Sequence, residues 1–323
     1  MTEPTLAVVV PAHQAEDDLP KCLDALFAAG FEPGEILVVD DGSRDGTGDV
    51  ARKANVRVVR NDRPAEPAEA RNRGAREVEA EILVFVDADV VIHKGARRRI
   101  LEHFKEPDIV AVFGSYDDAP PAPTVVSRYR NLLHHFVHQQ SREEAATFWT
   151  GFGAVRREAF LALGGFDRDW QNIEDVEFGV RLKRTGARIR LDRELLCTHL
   201  KAWSLRSMLK TDLWGRAVPW SRLLLFEGWS GDDLNATAPH RWSAAAVVAG
   251  AAGLIAAPFF PLALIVTAAA LAVFVAANAP FLRFLSGRKG LGFAAAALPY
   301  HILHYGAATL GLGYAVATHL TQR

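Results

Sequence analysis

Short apolar runs alternate with amphipathic stretches over the first third of the chain. The apolar runs predict buried strands, and they read TLAVVVPA, EILVVDDG, VRVVR, EILVFVDAD and DIVAVFGSY. The stretches between them predict helices, and they read DDLPKCLDALFAAG, DGTGDVARKA and AEARNRGAREVE. Strands that are apolar throughout and separated by helices indicate a mostly parallel sheet covered on both faces. The pattern predicts an α/β domain over residues 1–200, with halves at 1–90 and 91–200.

Three of the predicted strands run directly into polar or turn-forming residues. These are Pro11–His13, Asp40–Gly42 and Asp87–Asp89. In open α/β sheets, ligands bind beyond the carboxyl ends of the strands, so we expect one binding site there. An unpaired charge is costly to bury, and two carboxylates one residue apart suit a hard divalent cation. Asp87 and Asp89 therefore predict a site for Mg²⁺ or Mn²⁺.

The last part of the chain contains two long stretches without Asp, Glu, Lys or Arg. They cover residues 242–282, a run of 41, and residues 290–322, a run of 33. A helix needs about 20 apolar residues to cross a bilayer, so we expect a transmembrane region over residues 237–323. About three helices are predicted, at 241–258, 260–282 and 291–319. A hairpin or re-entrant segment remains an alternative for the first of them.

Charge is divided unevenly along the chain. No acidic residue follows Asp233, and the residues after it carry a net +5. Subtracting this from the total of −1 leaves −6 for the first 233 residues. Positive residues favour the cytoplasmic side, so Arg283, Arg288 and Lys289 predict a cytosolic loop. The N-terminus lacks a basic region and is not expected to be a signal peptide. The expected location is the inner (plasma) membrane, multi-pass, with the first domain cytosolic.

A basic segment rich in tryptophan, residues 201–236, separates the two regions. Its apolar residues include four that share one helical face, namely Leu205, Met208, Leu209 and Leu213. Basic residues and tryptophan on an amphipathic helix are typical of a segment that lies in the membrane interface. The alternative is an ordinary surface helix packed on the first domain.

Six motifs within residues 5–200 resemble those of family 2 glycosyltransferases of the GT-A fold. They occur in the order VVVPAHQAEDDLPKCLDAL, ILVVDDGSRDGT, EARNRGA, FVDADV, GGFDRD and IEDVEFGVRLKRTG. The resemblance implies a GT-A domain with a Rossmann-like, mixed but mostly parallel sheet. It also implies inverting transfer from a nucleotide-diphosphate sugar with Mg²⁺ or Mn²⁺. A UDP-sugar is favoured over a GDP-sugar, and no nucleic-acid partner is expected.

The resemblance further implies roles for individual residues. Those expected to bind the nucleotide-sugar are Pro11, Ala12, Glu16, Asp41, Gly42, Arg71 and Asp87. Asp89 is expected to ligate the metal, His199 to contact the metal or the diphosphate, and Asp175 to be the general base. Physical chemistry agrees with these roles, because a metal neutralises charge on a leaving diphosphate and a base accepts the proton of the attacking acceptor.

Several of these residues also have a simpler structural interpretation. Asp40 and Asp41 could cap a turn. The Glu174–Asp175 pair could begin a helix, where the helix dipole favours acidic residues. Arg71 could be a solvated residue on a helix surface. The sequence leaves these alternatives open.

A membrane region beside the predicted catalytic domain indicates an acceptor in the membrane. The expected acceptor is a lipid at the cytosolic face, either a polyprenyl phosphate or a lipid-linked glycan. Two alternatives remain: a glycosyltransferase of exopolysaccharide or cell-envelope glycan with a non-polyprenyl acceptor, and a catalytically inactive scaffold that binds nucleotide-sugar. A nucleotide-binding oxidoreductase is disfavoured, because AHQAEDD and not a Gly-x-Gly-x-x-Gly turn follows the first strand.

Overall fold

The computed structural model describes residues 3–226 and 238–321 of the chain. The chain forms two compact units. Unit 1 contains the residues up to 122 together with 138–201, and unit 2 contains residues 123–137 together with those from 202 onward. The sequence prediction placed residues 123–137 within the first domain, so the observed division differs from the predicted one in that segment.

Unit 1 is built on one mixed sheet. In chain order its strands are β1 (Leu6–Ala12), β2 (Ile36–Asp40), β3 (Arg57–Arg60), β4 (Ile82–Val86), β5 (Val90–Ile92), β6 (Ile109–Tyr116), β7 (Glu144–Ala145), β8 (Phe152–Arg156) and β9 (Arg188–His199). Their spatial order is β3-β2-β1-β4-β8-β6-β9-β5, with β7 paired to β9. Neighbours among β1 to β4 are parallel, as are β6 and β9, whereas β8 runs antiparallel between β4 and β6. The predicted α/β architecture is confirmed.

The described residues also form α-helices in both units. In chain order these are α1 (Leu19–Ala28), α2 (Thr47–Lys53), α3 (Glu66–Glu77), α4 (Ala96–His103), α5 (Val125–Gln140), α6 (Arg157–Ala162), α7 (Glu174–Arg184), α8 (Leu205–Lys210), α9 (Val218–Phe226), α10 (Ala238–Ala256), α11 (Ala263–Ala277), α12 (Ala279–Lys289) and α13 (Leu291–Thr321). Helices α1 to α4, α6 and α7 belong to unit 1, and α8 to α13 belong to unit 2. Helix α5 contributes its first part to unit 2.

The central strands are buried on both sides, which explains their continuous apolar sequence. Val8 and Val10 pack into one apolar cluster and Val9 into another, because successive side chains of a strand point to opposite faces. Residues of α1 and α4 complete the first cluster, and residues of α3, α6 and α7 complete the second. Because both faces of the sheet are covered, the accessible polar residues are those that follow the carboxyl ends of the strands.

Unit 2 is helical throughout the part that the structure describes. Tyr129 of α5 and Met208 of α8 pack with Leu285 of α12 and Ala297 of α13 in one apolar cluster. This packing explains why the first part of α5 belongs to unit 2. The periodicity of a helix predicts which face is apolar, but it does not identify the partner of that face.

Among the described residues, no single helix has both the length and the hydropathy needed to cross a membrane. Helices α11 and α12 reach that length and hydropathy only together, and they bend by 68° at their junction. The predicted helix 260–282 is therefore broken in two. Pro280 lies at the start of α12 and cannot continue α11, because it has no backbone N–H and its ring clashes with the preceding turn. The predicted helices 241–258 and 291–319 correspond to α10 and α13.

The predicted interfacial segment is partly described. It forms α8, a π-helix at Thr211–Ala217 and then α9. Met208 is fully buried whereas Leu205 is exposed, so the predicted apolar face is divided between interior and surface. The part of this prediction that covers residues 227–236, with Trp229, lies outside the described residues.

Candidate active site

The loops that follow β1 and β2 are joined by hydrogen bonds. The backbone N–H of Asp41 donates to the carbonyl of Ala12 at 2.8 Å, and Nδ1 of His13 lies 2.8 Å from the carbonyl oxygen of Asp41. Oε1 of Gln14 accepts from the backbone N–H of Arg44 at 2.7 Å. These contacts hold together the two loops at which the sequence predicts nucleotide binding.

Asp40 and Asp41 are both buried but have different partners. The carboxylate of Asp40 accepts from the backbone N–H of Ser43 at 2.9 Å and from Nη1 of Arg60 at 2.7 Å. The carboxylate of Asp41 accepts from the backbone N–H of Ala65, at 2.9 Å to Oδ1 and 3.0 Å to Oδ2. Asp40 therefore caps the turn after β2, as its structural interpretation predicted. Asp41 binds the backbone of the loop that follows β3.

Glu16 and Gly42 support the same two loops. Oε2 of Glu16 accepts from the backbone N–H of Gly46 at 2.9 Å, immediately before α2. Gly42 has a φ of +67°, and a Cβ there would lie 2.7 Å from the backbone of Arg63. Only glycine fits this turn. Pro11 lies within β1, one residue before the strand ends.

Arg71 is buried and binds two carboxylates. Its Nη2 donates to Oδ1 of Asp87 at 2.6 Å, and its Nη1 donates to Oε1 of Glu174 at 2.7 Å. Burial acts to lower the pKa of Arg71, but the charges of Asp87 and Glu174 raise it overall. Burial raises the pKa of both carboxyl groups, and Arg71 opposes that rise. Arg71 is therefore not a solvated residue, and both its Nη groups bind protein carboxylates.

Asp89 lies beside an imidazole. Its Oδ2 is 3.3 Å from Nε2 of His199, and its side chain is 33% exposed. Pairing of β5 with β9 sets His199 opposite Val90, and the imidazole stacks on Tyr116 with 4.5 Å between ring centroids. Burial acts to raise the pKa of Asp89, but the hydrogen bond and charge of His199 lower it overall. The carboxylate of Asp89 is therefore partly exposed, and its surroundings favour the anionic form.

Asp175 lies in the first turn of α7 and is held by the loop before β8. Its Oδ2 accepts from the backbone N–H of Thr150 at 3.0 Å and from Oγ1 of Thr150 at 3.2 Å. Its Oδ1 accepts from the backbone N–H of Val176 at 2.8 Å. The carbonyl of Gly151 accepts from the backbone N–H of Asp87 at 3.3 Å. One loop thus contacts both Asp175 and Asp87.

Gly151 and Gly153, in and directly after this loop, leave no room for a side chain. A Cβ on Gly151 would lie 2.3 Å from the indole ring of Trp149, and one on Gly153 would lie 2.3 Å from the Trp149 carbonyl. Thr150 and Glu174 also contact the candidate site. The sequence indicated only a helix start for Glu174, which the structure shows, and it did not indicate a role for Thr150. The available signal for Thr150 was the TGFG motif directly before a strand.

The structure brings the predicted site residues together in two groups. Asp87, Arg71 and Asp175 belong to the group around β4 and α7, to which the Asp89–His199 contact is adjacent along β5. The second group contains the residues of the loops after β1 and β2, namely Pro11, Ala12, Glu16, Asp41 and Gly42. Their individual roles in binding and catalysis stay predictions.

The side chains near Asp89 suit a metal ion that is bound partly by the protein and partly by a substrate. Over residues 3–226 and 238–321, no three His, Cys, Asp or Glu side chains converge to hold a metal. Mg²⁺ is usually bound by one or two carboxylates plus substrate phosphates, and Mn²⁺ suits similar oxygen ligands. An exposed carboxylate with an imidazole beside it fits such an ion, whereas it does not fit a closed structural metal site.

About the first half of the chain is similar to a known protein family. Residues 7–164 match the model of Glycosyl transferase family 2. The matched stretch includes β1 to β6 and the loop with Thr150. Asp175 and His199 lie beyond the matched residues.

Two curated relatives are named as glycosyltransferases. The chain is 26% identical over 226 residues to the pre-mycofactocin glycosyltransferase of Mycobacterium tuberculosis, which covers 66% of this chain and 47% of that protein. It is 28% identical over 207 residues to the glycosyltransferase AglE of Haloferax volcanii, which covers 61% of this chain and 67% of that protein. The chain thus spans about half the length of the first relative.

A solved structure shares the fold. The mannosyltransferase PcManGT from Pyrobaculum calidifontis, solved with GDP-Man and Mn²⁺, aligns with a TM-score of 0.51 at 19% identity. The alignment covers 99% of this chain and 87% of that one. The mixed α/β fold described above is therefore GT-A-like.

Proposed function

We propose that this chain, whose residues 7–164 match the model of Glycosyl transferase family 2, is an inverting, metal-dependent glycosyltransferase that uses a nucleotide-diphosphate sugar. The observation that carries the proposal is the double contact of Arg71 with Asp87 and Glu174. This contact connects a carboxylate of the Asp-x-Asp pair to the helix on which Asp175 lies. Asp87 of that pair is thus bound to the helix that carries Asp175, and the loop at Thr150–Gly151 contacts both carboxylate residues.

The proposed roles divide the reaction among the residues of unit 1. The loops after β1 and β2 receive the nucleotide. Mg²⁺ or Mn²⁺, ligated by Asp89 and His199, would neutralise the charge that develops on the leaving diphosphate. Asp175, oriented by Thr150, takes the proton of the acceptor as it attacks the anomeric carbon from the opposite face. A single displacement inverts that carbon, so no covalent nucleophile is needed.

The acceptor in this proposal is a membrane lipid, a polyprenyl phosphate or a lipid-linked glycan. Transfer takes place at the cytosolic face of the plasma membrane. Two features of unit 2 support this part of the proposal: large apolar side chains are exposed on α10, α11 and α13, and the chain after Asp233 carries only basic charges. Both features favour contact with an anionic membrane surface.

Release of free nucleotide tests the proposal directly. The full chain in detergent is incubated with UDP-, GDP- and dTDP-sugars and Mn²⁺, with and without membrane lipid extract as the acceptor source. UDP-sugars are the favoured donors, and GDP-sugars are included because the structurally similar mannosyltransferase was solved with GDP-Man. Asp89→Asn is the test variant, and Asp169→Asn, at an exposed position, is its matched control.

We expect release from one class of donor that increases with lipid extract, stops with EDTA and is lost in Asp89→Asn alone. Inversion is checked by the anomeric configuration of the product. Nucleotide binding without release from any donor, even with lipid extract present, would contradict enzymatic activity and favour a nucleotide-sugar-binding scaffold.

A further inference from the structure

Helices α10 and α11 form an antiparallel hairpin in unit 2. Near the base of the hairpin, Nδ2 of Asn278 donates to Oγ of Ser243 at 2.8 Å. Closer to the turn, Oγ1 of Thr267 donates to the carbonyl of Gly250 at 3.2 Å. A Cβ on Gly253 would lie 2.4 Å from Oγ1 of Thr267, so the absence of a side chain allows the two helices to approach this closely.

The turn of this hairpin is apolar and exposed. Phe259 is 79% exposed, Phe260 70% and Leu262 77%. Exposed aliphatic side chains continue from the turn onto both helices at Leu254, Ile255, Leu264, Ile265 and Val266. A hairpin without charge from 242 to 282 cannot present these side chains to water without a large hydrophobic cost. Helices that are hydrophobic on all sides are typical of a protein core or a membrane.

Polar side chains of the hairpin find hydrogen-bond partners within unit 2, and Nε2 of His301 on α13 lies 2.9 Å from Oδ1 of Asn278. Oγ of Ser243 donates to the carbonyl of Pro239 at 2.8 Å, and Asn278 donates both to Ser243 and to the carbonyl of Phe274 at 2.8 Å. Hydrocarbon offers no hydrogen-bond partners, so internal satisfaction of this kind is required of a segment surrounded by lipid.

The hairpin is too short to cross a bilayer twice. Helix α11 has 15 residues and rises roughly 22 Å, whereas the hydrocarbon core is about 30 Å thick. Helix α12 then departs at 68° from α11. The two ends of the hairpin are joined near its base by the Ser243–Asn278 hydrogen bond, and both therefore lie on the same side of any membrane that the turn enters.

The segments at the base of the hairpin are basic. Arg241 near the start of α10 and Arg283, Arg288 and Lys289 on α12 are exposed. The sequence from 238 to 321 contains no acidic residue. Basic residues beside an apolar insertion are complementary to anionic lipid head groups.

We infer that α10 and α11 form a re-entrant hairpin whose turn enters an anionic bilayer and returns to the side from which it came. The acyl chains cover Phe259, Phe260 and Leu262, and the basic residues at the base contact the lipid phosphates. This arrangement replaces the two crossings predicted for 241–258 and 260–282. It deepens the membrane contact in the proposed function and does not depend on glycosyl transfer.

Accessibility of single cysteines tests the topology. Arg241→Cys and Gly287→Cys mark the two ends, and Phe259→Cys marks the turn; Gly287 has open space for a side chain. The native Cys22 and Cys197 are fully buried, which keeps background labelling low. The full chain is added from outside to preformed vesicles of phosphatidylcholine with phosphatidylglycerol, and a membrane-impermeant maleimide is then applied.

We expect both ends to be labelled in intact vesicles and the turn to be labelled only after the vesicles are dissolved. Protection of Gly287→Cys until the vesicles are dissolved would show that the segment crosses the bilayer and would overturn the re-entrant hairpin. Labelling of the turn in intact vesicles would overturn insertion. Protection of the turn without vesicles, increasing with protein concentration, would show that a second copy of the chain covers it, and would also overturn the inference.

A charged turn gives an independent measurement. Phe259→Asp combined with Phe260→Asp should lower vesicle partitioning at least about tenfold, because acidic side chains are costly in the membrane. Leu161→Asp, at an exposed apolar position of unit 1, is the matched control and should leave partitioning unchanged. Vesicles of phosphatidylcholine alone should bind the unaltered chain more weakly than the anionic vesicles. Equal partitioning of the turn variant and the control would contradict the inference, whether or not the protein transfers sugar.

Discussion

Nη1 of Arg71 lies 2.7 Å from Oε1 of Glu174, although the two residues are 103 positions apart in the chain. Both side chains are buried, and the other Nη of Arg71 binds Asp87. The guanidinium thus connects the end of β4 to the beginning of α7. Removing one partner of a buried ion pair leaves an uncompensated charge, which makes this contact a sensitive point for both stability and activity.

Arg71→Met should lower the free energy of unfolding by about 3 kcal/mol at pH 8 and by less at pH 5. Burial already raises the pKa of Asp87 and Glu174, so their ionisation costs stability as the pH rises. Without Arg71, no positive charge offsets the buried carboxylates at pH 8. At pH 5, protonation of Asp87 and Glu174 removes part of this loss of stability. Urea unfolding at the two pH values measures the difference.

The control for this variant is Arg76→Met on the same helix. Arg76 is exposed and pairs with Glu69, and exposed ion pairs contribute at most about 1 kcal/mol. An Arg71 variant no less stable than the Arg76 variant, or equally destabilised at pH 5 and pH 8, would contradict the role of the buried pair.

Thr150→Val should lower kcat about tenfold and leave KM nearly unchanged. The hydroxyl of Thr150 donates to Oδ2 of Asp175 and helps to fix the orientation of that carboxylate. The backbone N–H contact remains in the variant, so the loop is retained. Thr150→Ser keeps the hydroxyl and should restore the rate. A loss of rate of the same size in the serine variant would indicate a purely structural role.

His199→Phe should weaken Mn²⁺-dependent nucleotide binding about tenfold. Phenylalanine retains the aromatic stack on Tyr116 but removes the nitrogen that lies 3.3 Å from Asp89. Calorimetric titration with UDP and GDP, with Mn²⁺ and then with EDTA, measures the effect. The variant and the unaltered chain should bind nucleotide equally in EDTA. A difference that persists in EDTA would place the effect on the fold and not on the metal.

Asp192→Asn should lower the free energy of unfolding at pH 7 by about 2 kcal/mol. The difference in free energy of unfolding between the variant and the unaltered chain should decrease below about pH 4. Burial acts to raise the pKa of Asp192, but His103 and Arg99 lower it well below its usual range. A depressed pKa in the folded state stabilises the protein above the unfolded pKa, and this contribution is lost as the pH falls toward the folded one. Glu194→Gln, at an exposed partner of Arg99, is the control and should change little. A stability difference of equal size at pH 7 and pH 3 would contradict the stabilising role of ionised Asp192.

Strands β1 to β4 and β6 of unit 1 could be predicted because they depend on local pattern, whereas β5, β7, β8 and β9 were not predicted. Apolar runs locate β1, β2 and β4, and the polar residues after them locate the edge of the sheet. The partner of Arg71 could not be predicted, because Glu174 is brought to it by the packing of α3 and α7 on one face of the sheet. The same limit applies to α5, because no local pattern shows that its first part packs with helices of unit 2.

The position of β8 also has a consequence for the order of synthesis. Strands β1 to β4 pair with one another using residues before 87, so the Arg71–Asp87 contact can form while the rest of the chain is still on the ribosome. Strand β8 joins β4 only after residue 156 has emerged, and Glu174 follows later still. Nascent chains arrested shortly after residue 156 should therefore contain a protease-resistant half built on β1 to β4 that lacks Glu174 and Asp175, so the polypeptide acquires the Arg71–Glu174 contact only after this half has folded.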